Sequence, residues 1–256
     1  MSAAHPIISI TGSSGAGTTS VKRIFELIFR REKVAAAFIE GDAFHKYDRL
    51  TMKQKIAEED KKGNSHFSHF HPEANELDIL DGIFQEYGRS GTGRTRTYVH
   101  DDDEGKIYGV PQGTFSPWRE FEPSDLLFYE GLHGCAVTDT ANLAQHADLR
   151  IGVVPVINLE WIQKIHRDKA TRGYSPEAVM DTIIRRMPDY VRYITPQPSL
   201  TDYSTYAKAE LSTTKDGPPS YEAGVAFGGP LIDNVLGFRV SAWYRRDGGY
   251  IDRINY

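Results

Sequence analysis

The feature that most constrains this chain is a short apolar run, Ile7 to Ile10, leading into GSSGAGTTS, Gly12 to Ser20. Directly after it, Val21, Ile24, Phe25 and Ile28 recur at helical spacing. Strand, glycine loop and helix form the frame in which backbone N–H groups and a helix dipole receive a phosphate. The pattern G-x-x-x-x-G-K-[ST] is met at Gly12, Gly17 and Thr19, but Thr18 stands in the lysine position. Phosphate oxygens are therefore expected on Gly12, Ser13, Ser14, Gly15, Ala16, Gly17, Thr18 and Thr19, with the Thr19 hydroxyl offered to Mg²⁺. The plainer alternative is a tight strand-to-helix turn capped by Ser or Thr.

Further apolar runs follow, at Ala35 to Ile39, Leu126 to Tyr129 and Ile151 to Val154, and Tyr190 to Ile194 is expected to add a fifth strand. A helix is expected over about Asn158 to Arg172. This alternation predicts an α/β fold, a mostly parallel sheet with flanking helices. Ligands in such sheets sit beyond the carboxyl ends of the strands. The loop, Asp42 and Glu130 each follow a candidate strand, so they are expected to converge on one crevice. There Asp42 suits a general base for an acceptor hydroxyl and Glu130 an acid approaching Mg²⁺, although each alone could be a turn residue. His45 and Arg49 are expected on one helix face, and Lys164, Arg167 and Arg172 could replace the missing loop lysine.

Between Lys61 and Tyr108 the chain is polar and rich in His, Arg, Gly and Tyr, which reads either as a surface excursion or as a substrate lid. The alternation Arg94, Arg96, Tyr98, His100 favours the lid. From about Pro198 the pattern changes to period two. Tyr221, Ala223, Val225 and Phe227 share one face, as do Leu236, Phe238, Val240, Ala242 and Tyr244, with turns expected at DGPP, GGP and DGG. The expected division is a kinase-like domain over 1–198 and a β-rich tail over 199–256.

The formal net charge of -5 argues against nucleic-acid binding through bulk charge. A single cysteine, Cys135, excludes an intrachain disulfide and is expected to be a packed small hydrophobe. The opening MSAAHPIISI lacks the form of a signal peptide, and no apolar run matches a membrane helix, so a cytoplasmic location with no membrane contact is expected.

Taken together, ISITGSSGAGTTSVKRIFELIFRRE, IEGDAFHKYDR, FSHFHPEANEL, EYGRSGTGRTRTYVHDDDE, LLFYEGLHG and IGVVPVINLEWIQKIHRDKATRGY resemble the bacterial form of phosphoribulokinase, from about Pro6 to Gln197. The resemblance implies a P-loop kinase fold and ATP- and Mg²⁺-dependent phosphorylation of ribulose 5-phosphate to ribulose 1,5-bisphosphate for carbon fixation. It implies Asp42 as base and Glu130 with Thr19 near the metal. It further implies His45, Arg49, Arg96, Tyr98, His100 and Arg172 as sugar-phosphate contacts. Lys164, Arg167 and Asp168 match a segment serving ATP and catalysis, and Arg185 and Arg186 match a pair linked to activation by NADH. A homo-oligomer is implied as well. A uridine or pantothenate kinase would share the core but normally keeps the loop lysine.

Residues Asp202 to Tyr256 resemble instead an internal piece of a TonB-dependent outer-membrane receptor barrel, carried by AFGGPLIDNVLGFRVSAWYRRDGGYID. Two or three hairpin strands cannot close a barrel. This opens the alternative of an inactive or partly folded chimera, whether by natural fusion, artefact or design.

Overall fold

The computed structural model describes residues 4–155, 157–212, 220–232, 236–246 and 248. In chain order its elements are β1 (Ile7–Thr11), α1 (Thr18–Glu32), β2 (Ala36–Glu40), α2 (Arg49–Lys61), α3 (Leu77–Ser90), β3 (Arg94–Thr95), α4 (Asp102–Tyr108) and β4 (Arg119–Glu120). Then come β5 (Leu126–Gly131), β6 (Leu149–Val153), α5 (Ile157–Arg172), α6 (Pro176–Asp189), β7 (Tyr203–Ser212), β8 (Ser220–Ile232) and β9 (Leu236–Arg246). The chain divides into two compact units, 1–201 and 202–256.

In the first unit β2, β5, β1 and β6 lie side by side in that order, every pair parallel. Strand β5 is buried along Leu126 to Tyr129, as a strand covered on both faces must be. On one face Phe25 and Phe29 of α1 pack on Phe128, with Ile10 and Phe38 alongside. On the other, Leu77, Leu80, Ile83, Phe84 and Tyr87 of α3 meet Ile7, Ile39, Leu127 and Tyr129. Helix α3 lies inside the stretch expected to be a polar excursion or lid. Its apolar residues keep i, i+3, i+4 spacing through polar neighbours, and burying that stripe outweighs the polar average.

Two other expectations are corrected. Tyr190 to Ile194 is a π-helical turn continuing α6 rather than a strand. Its β-branched and aromatic residues suggested a strand, but Asp189 just before it is buried against His66 and Ser68, and the turn packs on the loop before α3 through Phe70–Tyr190 and His71–Tyr193. His45 and Arg49 share no helix face, because His45 is extended and α2 begins only at Arg49, capped by Asp48 accepting from Thr51 N.

The second unit is an antiparallel array, β7 paired to β8 and β8 to β9. Registering Ala223 with Tyr244 and Val225 with Ala242 gathers the period-two faces onto one side, where Val225 and Val240 are 60% and 63% exposed. GGP, Gly228 to Pro230, is not a turn. It lies within β8, where the register shifts between Pro230 and Ile232, the irregularity that proline forces on a ladder. DGPP, and DGG apart from Gly248, lie outside the described residues. Among the described residues no helix is long and apolar enough to cross a membrane.

Candidate active site

Parallel register sets the site. Thr11 pairs with Gly131 and Glu40 with Glu130, so the chains leaving β1, β2 and β5 emerge side by side at their carboxyl ends. The glycine loop leaves β1, Asp42 sits on the 3₁₀ turn Gly41–Phe44 after β2, and Glu130 closes β5. Gly12 N donates to Gly131 O at 3.2 Å, stitching the loop to β5.

The loop needs its glycines. Gly15 has φ +107°, and a Cβ there would meet Glu160 O at 2.9 Å and Lys164 Cβ at 3.2 Å. Helix α5 therefore lies directly against the loop and brings cations to it. Arg167 Nη2 donates to Ser14 Oγ at 3.0 Å. Lys164 Nζ meets Asp168 Oδ2 at 2.8 Å, and Arg167 Nε meets Asp168 Oδ1 at 3.0 Å. Burial pushes the Lys164 amine down, and the Asp168 carboxylate opposes that. Burial would raise Asp168, but Lys164 and Arg167 outweigh it and hold the carboxyl below its usual range. A helix more than 140 residues downstream thus places cations beside a loop that has none at Thr18. Arg186 joins Ser14, Glu160 and Lys164 in lining a small cavity beside the loop, while Arg185 Nη1 donates to Ser65 O at 3.2 Å. Arg172 ends α5, and its side chain lies outside the described residues.

At the carboxylates, buried Thr18 hydrogen-bonds to Glu130, whereas Thr19 is exposed on the first turn of α1. Burial pushes the Glu130 carboxyl up, the Thr18 bond opposes it, and Asp42 adds to the rise. Lys22, over the Phe38 ring, pairs with Glu40 and lies near Glu130. Glu40, Asp42 and Glu130 are all partly buried, and the two neighbouring carboxylates both act to raise Glu130. Among the described residues no group of three or more His, Cys, Asp or Glu is placed to hold a metal ion. Thr18 and Glu130 offer a hydroxyl and a carboxylate, within the one or two carboxylates Mg²⁺ ordinarily takes from protein.

Asp42 is 43% exposed and flanked by two imidazoles, His45 Nε2 at 3.4 Å from one carboxylate oxygen and His100 Nε2 at 3.6 Å from the other. Buried Tyr98 presents its ring at right angles to His45. Arg49 Nη2 donates to His100 O at 3.2 Å. His45 stacks on His69 with ring centroids 3.8 Å apart, and His133 Nε2 lies 3.0 Å from His69 O. Arg96 behaves differently from its neighbours in the alternation: its guanidinium contacts protein carbonyls and Glu76. Cys135 is buried. Sequence reasoning passed over Lys22, His69, His133, Glu160 and the Thr18–Glu130 pair. Only for His69 was there a local signal, in the run HFSHFH.

The family described as Phosphoribulokinase / Uridine kinase matches residues 7–209. A phosphoribulokinase of Sinorhizobium medicae is 73% identical over 202 residues, covering 79% of this chain and 70% of its own. That of Nitrobacter vulgaris is 68% identical over 199 residues, covering 77% and 69%. Among solved structures, phosphoribulokinase from Rhodobacter spheroides superposes with a TM-score of 0.75 at 48% identity, covering 91% of this chain and 82% of its own. A D-glycerate 3-kinase from Cryptococcus neoformans, 14% identical with a TM-score of 0.51 over 76% of this chain and 80% of its own, shares the fold.

Proposed function

The chain belongs to the phosphoribulokinase/uridine kinase family, and from that premise we propose that it transfers the γ-phosphoryl group of ATP to the 1-hydroxyl of D-ribulose 5-phosphate. The product is ribulose 1,5-bisphosphate, the acceptor for carbon fixation. The observation that carries this reading is the seating of Asp42, between His45 and His100 and beside the phosphate loop.

The acceptor oxygen attacks the γ-phosphorus, the bond to the β-phosphate oxygen breaks, and ADP leaves. Asp42 takes the hydroxyl proton as the new bond forms. Backbone N–H groups of Gly12 to Thr19 receive the ATP phosphates, and Lys164 and Arg167, held by Asp168, neutralise charge developing on the transferred group. Glu130 with Thr18 or Thr19, beside Glu40 and Asp42, would hold Mg²⁺, which would supply Lewis-acid charge to the phosphates. His45, Arg49, Tyr98, His100 and Arg172 are assigned to the sugar phosphate. Arg185 and Arg186 are assigned to a response to NADH. A homo-oligomeric, cytoplasmic enzyme without nucleic-acid or membrane partners completes the proposal.

We read residues 202–256 as the β-rich end of this kinase rather than as a piece of outer-membrane barrel or the foreign half of a chimera. The family match reaches residue 209, and the superposition on the phosphoribulokinase structure covers more of the chain than 1–201 contains.

The test is ADP release by purified protein with ATP, Mg²⁺ and ribulose 5-phosphate, with uridine and pantothenate as controls. Release dependent on ribulose 5-phosphate is expected. Release with uridine alone would overturn the assignment.

A further inference from the structure

Three successive carbonyls follow Asp42 on its turn, and each is held from outside it. Arg96 Nε donates to Ala43 O at 2.7 Å, Glu76 N to Phe44 O at 2.7 Å, and Arg96 Nη2 to His45 O at 3.2 Å. Arg96 Nη2 also donates to Glu76 Oε2 at 2.6 Å, so the two residues that grip the turn grip each other. The guanidinium is wedged between aromatic rings, 4.0 Å from the Phe115 centroid and 4.7 Å from that of Trp118. Trp118 in turn stands edge-on to Phe44. The Arg96 side chain is 13% exposed.

A planar fork that binds two carbonyls and a carboxylate while stacked on aromatics is a task for arginine, and a point charge cannot reproduce it. We propose that Arg96 is a positioning residue: it clamps the Gly41–His45 segment and so sets the aim of Asp42 and His45, and it does not grip the sugar phosphate. The inference rests on Asp42 being the base. Misaiming a base by about 1 Å is enough to cost on the order of 100-fold in turnover.

The test compares Arg96→Lys and Arg96→Ala with the unaltered protein. Turnover is expected to fall about 100-fold in both, with KM for ribulose 5-phosphate moving less than about threefold. Hydrogen exchange read by mass spectrometry should rise in peptides spanning 41–46. Ethylguanidinium should restore at least about tenfold of the lost turnover to Arg96→Ala by refilling the slot between the rings; a folding defect would gain nothing from it. If Arg96→Ala is recovered unfolded, Arg96→Lys and Glu76→Gln carry the same comparison. A KM rise above about tenfold with turnover preserved would make Arg96 a substrate contact and overturn the proposal. Unchanged exchange over 41–46 would overturn it as well. Exchange needs no substrate, so it judges the clamp even if ribulose 5-phosphate proves not to be the acceptor.

Discussion

At the scale of single residues, the site is a set of backbone positions that tolerate little and side chains that are held rather than free. Gly15 combines a positive φ with a close approach of α5 to the loop. Gly15→Ala is therefore expected to lower affinity for ATP by about tenfold or more and stability by about 1–3 kcal/mol, read by calorimetric titration and by urea unfolding. Asp42 is the base in the proposed transfer, seated between His45 and His100. Asp42→Asn is expected to cut turnover by roughly three orders of magnitude while ATP binding is preserved; undiminished turnover would remove Asp42 from the base role. The loop glycines and Asp42 could be named from the chain because each function follows from a local turn beside a strand. Glu160, Lys22 and the Thr18–Glu130 bond could not, since each depends on which strand or helix arrives alongside.

Among the elements, α3 decides how one face of the sheet is closed. Leu80 is completely buried against it, with Ile83 and Phe84 beside it. Leu80→Ala is expected to cost about 2–5 kcal/mol, seen as a lower urea midpoint with an unchanged slope. Local sequence described α1 and α5 well, where loop signals and helical spacing agree. It missed α3, whose apolar stripe runs through polar company, and it took the π turn at Tyr190 for a strand because branched and aromatic residues favour strands when tertiary contacts are ignored. In β8 the same local logic made a turn of GGP, yet cross-strand pairing with β9 holds those residues extended.

For the molecule as a whole, the loop before α3 brings His69 onto His45 and against His133, and burial disfavours the charged form of all three imidazoles. Burial pushes the His133 pKa down to about 4, and it lowers those of His45 and His69 too. Arg96, Arg186, His71 and His100 reinforce the lowering, while Asp42 alone among the facing charges opposes it for His45. An unfolded histidine titrates near 6.5, so between pH 6.5 and 4 the unfolded chain binds more protons than the folded one. Stability is then fully present above pH 6.5 and falls as the pH drops towards 4. His133 alone accounts for on the order of 3 kcal/mol of that loss. Urea unfolding at pH 7.5 and pH 5 checks this, and His133→Gln should flatten the dependence.

By itself the sequence determined the phosphate loop, the parallel α/β class, the family and the positions of Asp42 and Glu130, because strand–turn–helix signals are local and repeat along the chain. Tertiary structure alone decided which cations stand beside the loop, since Arg167 meets Ser14 only when α5 packs on Gly15. It also decided that Arg96 grips the turn that holds Asp42. Contacts between residues distant in the chain follow from packing and register, and no window of sequence contains both partners.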